Sequence, residues 1–256
     1  MNLLTHRVDG DGPPLVLLNG GLMSIGAWQP MMPALTPHFR VIRCDFRGQL
    51  LTPGPYAESW EEHVRDVIEL LDHLGVGRAH VAGVSYGAEV AMLLAALYPD
   101  RVERLTVITA TERTNERMRG DAAEGCRIAK RAAAGEGGGE ELFRNVLEAT
   151  WSESFLAKQP PDFMEQRLRQ VALLPPAFFA GAAAILSVLD TLDLTPYLGR
   201  ITAPALVIGG EHDRVFPPEH SRTIAAAIPN ARLVIIPGTG HGLLFECGER
   251  VIELLT

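Results

Sequence analysis

The chain is poor in cysteine, lysine and aromatic residues, and no apolar run in it approaches the length of a membrane span. Its three cysteines, Cys44, Cys126 and Cys247, are widely spaced and odd in number. They form neither a disulfide framework nor a CxxC metal pair, so thiols in a reducing compartment are expected. Lys130 and Lys158 are the only lysines, and acidic residues outnumber basic ones 31 to 23, for a net charge of −8. That balance lacks the basic footprint that nucleic acid or an anionic membrane demands, and neither is expected as a partner. HExxH and comparable ligand spacings are missing, so no metal and no cofactor is expected. MNLLTHRVDGDG has no long apolar stretch of the signal-peptide kind, and the expectation is a soluble cytoplasmic protein. Nothing in the sequence speaks to the oligomeric state.

What is present is a chain of 256 residues, 47% hydrophobic, enough for one large domain or one domain with an insertion. Short β-rich runs recur at Leu15–Leu18, Val41–Asp45, His80–Val84, Leu105–Thr109, Ala205–Ile208 and Leu233–Ile236. Several are continuously apolar, as strands buried on both faces of a parallel sheet must be. Helical patterns lie between them, at Trp60–Leu74, Ala88–Leu97 and Ser221–Ala227. Strand–helix alternation argues an α/β fold with right-handed crossovers. The alternation stops between about Thr111 and Leu198, where four helical stretches are expected: Arg117–Ala134, Glu140–Thr150, Pro161–Leu173 and Ala177–Asp190. An all-helical insertion in such a chain is a cap or lid candidate. The expected division is therefore a core of residues 1–110 and 199–256 and a helical cap of residues 111–198.

One glycine turn invites a phosphate. Gly21-Leu-Met-Ser-Ile-Gly26 has the glycine spacing of a P-loop and follows a strand. A P-loop needs Lys and then Ser or Thr after its last glycine, whereas Ala27 and Trp28 stand there, and the dinucleotide spacing GxGxxG is also missing. The sharper motif is Gly83-Val84-Ser85-Tyr86-Gly87, between a strand and a helix. A GxSxG turn in that context strains the serine backbone and lifts its Oγ above the sheet. A Cβ at either glycine would collide with the neighbouring strand and helix. A serine hydroxyl is a weak nucleophile at neutral pH and needs a base, which needs an orienting acid. The acid candidate is Asp213, a few residues past the strand Ala205–Ile208, with Glu211 as the neighbouring alternative. The base candidate is His241, in the glycine-rich loop after the last strand. His63 and His73 lie on a helix, His80 begins a strand and His220 begins a helix, so they suit the role less well.

On these motifs the chain resembles the α/β-hydrolase superfamily, in its lid-bearing group of esterases, lactonases and C–C hydrolases, with enol-lactonases among the most similar. The order Ser85, Asp213, His241 matches the family's nucleophile–acid–histidine order. VIRCDFRGQLLTPG is similar to the family loop D-x-R-G-H-G-x-S, and LYPDRVERLTVI also fits. Three departures stand out: Asn19 in place of the histidine of an HG turn, Gln49-Leu50 in place of His-Gly, and an N-terminus that looks a strand short, with a C-terminal helix from about Glu246 ending at Thr256. The resemblance implies a mostly parallel central sheet flanked by helices, with the cap inserted after the sixth family strand. It also implies an oxyanion hole built from the backbone N–H groups of Tyr86 and of Gly21, with Leu22 the alternative to Gly21. The expected activity is hydrolysis of a small or medium carboxylic ester or lactone through an acyl-enzyme. C–C bond hydrolysis or cofactor-free perhydrolysis on the same residues is one alternative. A slow-turnover ligand receptor of the same fold is another. Met23, Trp28, Trp151, Met164, Phe178 and Phe179 are the expected substrate-pocket residues, together with Phe155.

Overall fold

The computed structural model describes residues 3–52 and 54–256. Seven strands form one sheet: β1 (His6–Asp9), β2 (Pro14–Leu18), β3 (Arg40–Cys44), β4 (Ala79–Val84), β5 (Val102–Ile108), β6 (Ala205–Gly210) and β7 (Ala231–Ile236). Their order is β1-β3-β2-β4-β5-β6-β7. β1 pairs with β3 antiparallel, and every other pairing is parallel. The helices are α1 (Met32–Leu35), α2 (Trp60–His73), α3 (Tyr86–Leu97), α4 (Glu116–Ala133), α5 (Gly139–Thr150), α6 (Glu153–Leu156), α7 (Phe163–Val171), α8 (Pro176–Leu189), α9 (Thr195–Leu198), α10 (Pro218–Ala227), α11 (Leu243–Glu246) and α12 (Gly248–Leu255). Among the described residues no single helix is long and apolar enough to cross a membrane.

The six strands expected from apolar runs are present, and β1 is the addition. Its residues are mostly exposed, as befits an edge strand with one paired side. Such a strand has no continuous apolar run to reveal it. β2 and β4 are buried along almost their whole length and occupy the middle of the sheet. Both faces are covered by apolar clusters. One gathers Val16, Val81, Val107 and helix α3, and the other gathers Leu15, Trp28, Ile108 and the C-terminal helices. Helix α3 is buried from Tyr86 to Ala96, which is why it is built mainly of small and aliphatic residues.

Helix α2 starts where Ser59 caps it, its side chain accepting from Glu62 N–H at 3.3 Å. Asn115 caps α4 in the same way, accepting from Met118 N–H at 3.0 Å. The segment between β5 and β6 holds no named strand and runs through helices α4 to α9. Its helices have an apolar cluster of their own, with Ile128, Leu142, Val171, Phe178, Phe179 and Ala182 buried together. This second core sits beyond the C-terminal ends of the parallel strands, where an open α/β sheet presents its crevice.

Candidate active site

Ser85 stands at the turn from β4 into α3 with φ +51° and ψ −126°, a left-handed conformation that costs a side-chain-bearing residue. Three backbone bonds hold it there. Its N–H donates to Ile108 O at 2.9 Å, and its carbonyl accepts from Ala88 and Glu89 N–H at 2.7 and 3.2 Å. The flanking glycines are required by contact: a Cβ on Gly83 would lie 2.2 Å from Gly87 O, and one on Gly87 would lie 2.4 Å from Leu18 O. Tyr86 opens α3, so its N–H has no acceptor inside the helix.

Asp213 lies in the loop after β6 and is buried. Its Oδ1 accepts from Val215 and Phe216 N–H at 2.9 and 2.8 Å, and its Oδ2 accepts from His241 Nδ1 at 2.8 Å. A carboxylate only accepts, so this bond places the imidazole proton on Nδ1 and leaves Nε2 as the free lone pair. The His241 ring also meets the Phe216 ring edge-on, 5.3 Å between centroids. The two loops are stitched together by His212 N–H to Thr239 O at 2.8 Å and Glu211 N–H to Ile236 O at 3.1 Å. Glu211, the alternative acid, is half exposed and accepts instead from Gly238 N–H at 2.8 Å.

Ser85 and His241 line one cavity of about 590 Å³, roofed by the helices between β5 and β6. Its floor includes Gly20, Gly21, Leu22, Met23 and Tyr86. Ile185, Leu186 and Leu189 of α8 and Leu147 of α5 make its roof largely apolar. Of the expected pocket residues, Met23 and Trp151 line this cavity. Trp28, Met164, Phe178 and Phe179 do not. Trp28 is wholly buried beneath the sheet, where its indole N–H donates to Asn19 Oδ1 at 2.8 Å. Phe178 and Phe179 fill the interior of the helical segment's own cluster. Met164 sits on α7, away from the lining, and Phe155 stacks on Trp151 from outside it, 4.9 Å between centroids. Spacing along a helix marks a buried face but does not say which of two apolar spaces that face enters.

The glycine turn after β2 rests against this site. A Cβ built on Gly20 would come 3.6 Å from Ser85 Cβ, and one on Gly21 would come 3.7 Å from Tyr86 Cβ. Beneath the turn lies a polar network that the sequence did not reveal, because its members are far apart in the chain. Asn19 Nδ2 lies 2.9 Å from Cys44 O and 3.0 Å from both Asp45 Oδ1 and Gln49 Oε1. Asp45 also accepts from Ser24 Oγ and from Ile25 and Leu51 N–H, at 2.9, 2.7 and 2.9 Å. The signal available was the paired replacement of two family histidines by two amides, Asn19 and Gln49.

The helical segment is fastened to the His241 loop through Glu246. Its carboxylate accepts from Ser152 N–H and Gly240 N–H, both at 3.0 Å, and from Ser152 Oγ at 2.6 Å. Arg214, next to Asp213, donates to the carbonyls of Glu148 and Trp151 at the end of α5. Among the described residues no three His, Cys, Asp or Glu side chains are grouped so as to hold a metal ion.

The alpha/beta hydrolase fold model matches residues 13–246 of this chain. The chain belongs to the alpha/beta hydrolase fold family. A relative in Stutzerimonas stutzeri, RutD, named for carbamate hydrolysis, is 27% identical over 98% of this chain and 93% of its own length. A pimeloyl-[acyl-carrier protein] methyl ester esterase of Nitrosomonas europaea is 27% identical over 95% of this chain and 94% of its own. The crystal structure of the enol-lactonase from Burkholderia xenovorans LB400 superposes with a TM-score of 0.85 at 28% identity, covering 98% of this chain and 94% of that one. The seven-stranded, mostly parallel sheet flanked by helices described above is the fold of this family.

Proposed function

We propose that the protein is a serine hydrolase that cleaves a small or medium carboxylic ester or lactone through an acyl-enzyme. The observation that supports this reading most strongly is the Asp213–His241 hydrogen bond, made at the rim of the same cavity as the strained Ser85. Ser85 Oγ attacks the carbonyl carbon while His241 Nε2 takes its proton. Asp213 holds the ring in the required tautomer and stabilises the imidazolium. The carbonyl oxygen, now negative, receives N–H bonds from Tyr86 at the positive end of α3 and from Gly21. The tetrahedral centre collapses, the bond to the alcohol oxygen breaks, and the imidazolium returns its proton to that oxygen. Water then attacks the acyl-enzyme, with His241 as base, and releases the carboxylic acid and free Ser85.

The helices of residues 111–198 act in this reading as a cap that walls the acyl and alcohol subsites. Apolar walls on about 590 Å³ favour a compact, mainly apolar substrate. The methyl ester esterase and enol-lactonase relatives favour the same bond types. A panel of p-nitrophenyl esters, lactones, carbamates and vinylogous diketones tests the assignment. Turnover of esters or lactones is expected to exceed that of the other classes. Cleavage of a diketone C–C bond alone, or tight binding of a small ligand without turnover of any class, would contradict it.

A further inference from the structure

Gln49 is buried at 1% exposure, and each of its hydrogen-bonding positions is used. Its Nε2 lies 2.7 Å from Gly20 O and 3.3 Å from Gly21 O. Its Oε1 accepts from Phe46 N–H at 2.9 Å and from Asn19 Nδ2 at 3.0 Å. The orientation of both amides follows from one fixed donor. Indole nitrogen can only donate, so Trp28 Nε1 at 2.8 Å makes the facing atom of Asn19 its oxygen. Asn19 then presents its NH₂ to Gln49, which must answer with Oε1. That leaves Gln49 Nε2 facing the two glycine carbonyls.

We infer, on the serine-hydrolase reading above, that Gln49 is a positioning residue that aims the oxyanion-binding N–H groups of the glycine turn. The peptide plane carries the effect. In a trans peptide the N–H points opposite to the C=O of the same plane. Gly20 C=O, held on the Gln49 side, therefore directs Gly21 N–H to the opposite side of the turn. Gly21 C=O, held by the same amide, does the same for Leu22 N–H. Gly20 O takes a second bond from Met23 N–H at 3.1 Å, which closes the turn around the held plane. Among the described residues no acceptor takes Gly21 or Leu22 N–H. The donors are thus kept free and oriented before substrate arrives, which is how an oxyanion site gains its effect. Hydrogen bonds accepted by the carbonyls also polarise the peptide and strengthen its N–H as a donor. An amide performs this task without titrating.

Gln49→Met and Gln49→Glu separate positioning from packing. Methionine fills the space without a donor. Its kcat on a p-nitrophenyl ester is expected to fall about a hundredfold, with KM within about threefold of native, because the bond it disturbs forms only in the transition state. Glutamate keeps an oxygen for Asn19 and Phe46 but can donate to Gly20 O only while protonated. The ratio of its kcat to the native kcat is expected to fall about tenfold between pH 6 and pH 9 as the buried acid, beside Asp45, ionises. Circular dichroism of each variant checks folding, and if Gln49→Met does not fold the glutamate ratio alone decides. A flat ratio, or a folded Gln49→Met with native kcat, overturns the role of Gln49. Ser85→Ala, assayed alongside, keeps the two readings apart. Native-like activity in Ser85→Ala sinks the hydrolase reading itself. A dead Ser85→Ala beside a fully active Gln49→Met sinks only the role of Gln49.

Discussion

Asp213 meets His241 with one carboxylate oxygen, Oδ2 to Nδ1 at 2.8 Å, while the other oxygen is held by the N–H groups of Val215 and Phe216. The carboxylate therefore cannot rotate without breaking two backbone bonds. The consequence for Asp213→Asn is specific. The backbone donors keep the amide oxygen, so the NH₂ group faces His241 and demands the opposite ring tautomer. Ester turnover is expected to fall by about 10³–10⁴, with little change in KM, the scale known for the same change in another serine hydrolase. Steady-state kinetics checks it, and a loss under tenfold would contradict the orienting role.

Glu246 ties Ser152 to the loop of His241 through three bonds, two of them at backbone N–H groups. Glu246→Ala leaves those donors without their acceptor. A loss of about 2–3 kcal/mol is expected, visible as a lower urea midpoint. Activity should fall further than stability explains, because Gly240 precedes His241 directly. An unchanged midpoint would show that the contact contributes nothing.

His63 and His80 are buried, and burial lowers their pKa values to about 3 and about 4, with help from Arg47 and Arg104 respectively. Among the described residues neither ring nitrogen of His63 has a partner. Both rings are neutral in the folded chain at pH 7, whereas the unfolded chain takes up these protons near pH 6.5. Stability is therefore complete above about pH 6.5 and declines as pH falls toward the folded values of 4 and 3. His63→Leu removes the larger of the two contributions. Chemical denaturation from pH 8 to pH 4 should show a flatter profile for this variant, and an identical slope would contradict the assignment.

Tyr86 contributes its backbone N–H to the proposed oxyanion site, but its buried hydroxyl has no partner among the described residues. The ring is wedged between Trp60 and His63, at centroid distances of 4.5 and 5.4 Å. Tyr86→Phe keeps the ring and the N–H. Turnover is expected to stay within about twofold, and stability to hold or rise by about 1 kcal/mol. A hundredfold loss of kcat would show that the hydroxyl itself takes part.

The fold was legible where the chemistry is local. Apolar runs such as those of β2 and β4, too short for a helix and bounded by turn residues, read as central strands, and the strand–turn–helix setting of Ser85 comes from a few neighbouring residues. The pairing of Asp213 with His241 was legible because each follows a strand of a sheet whose C-terminal edge gathers its loops. β1 was missed because an edge strand needs no apolar run. Gln49 stood out only as a departure from the family loop, because its bonds reach Gly20, Gly21 and Asn19, some thirty residues earlier in the chain. Trp28 and Phe178 were misplaced for a different reason. Large apolar side chains enter whichever buried space is nearest, and the sequence does not distinguish a core from a cavity wall.

The most direct test of the account is hydrolysis of p-nitrophenyl acetate and butyrate by native protein and Ser85→Ala, with intact-mass analysis after treatment with a fluorophosphonate. Native protein is expected to carry a single phosphonyl adduct and Ser85→Ala none, with at least about a thousandfold loss of turnover in the variant. Near-native turnover by Ser85→Ala, or an adduct that survives the substitution, would contradict it.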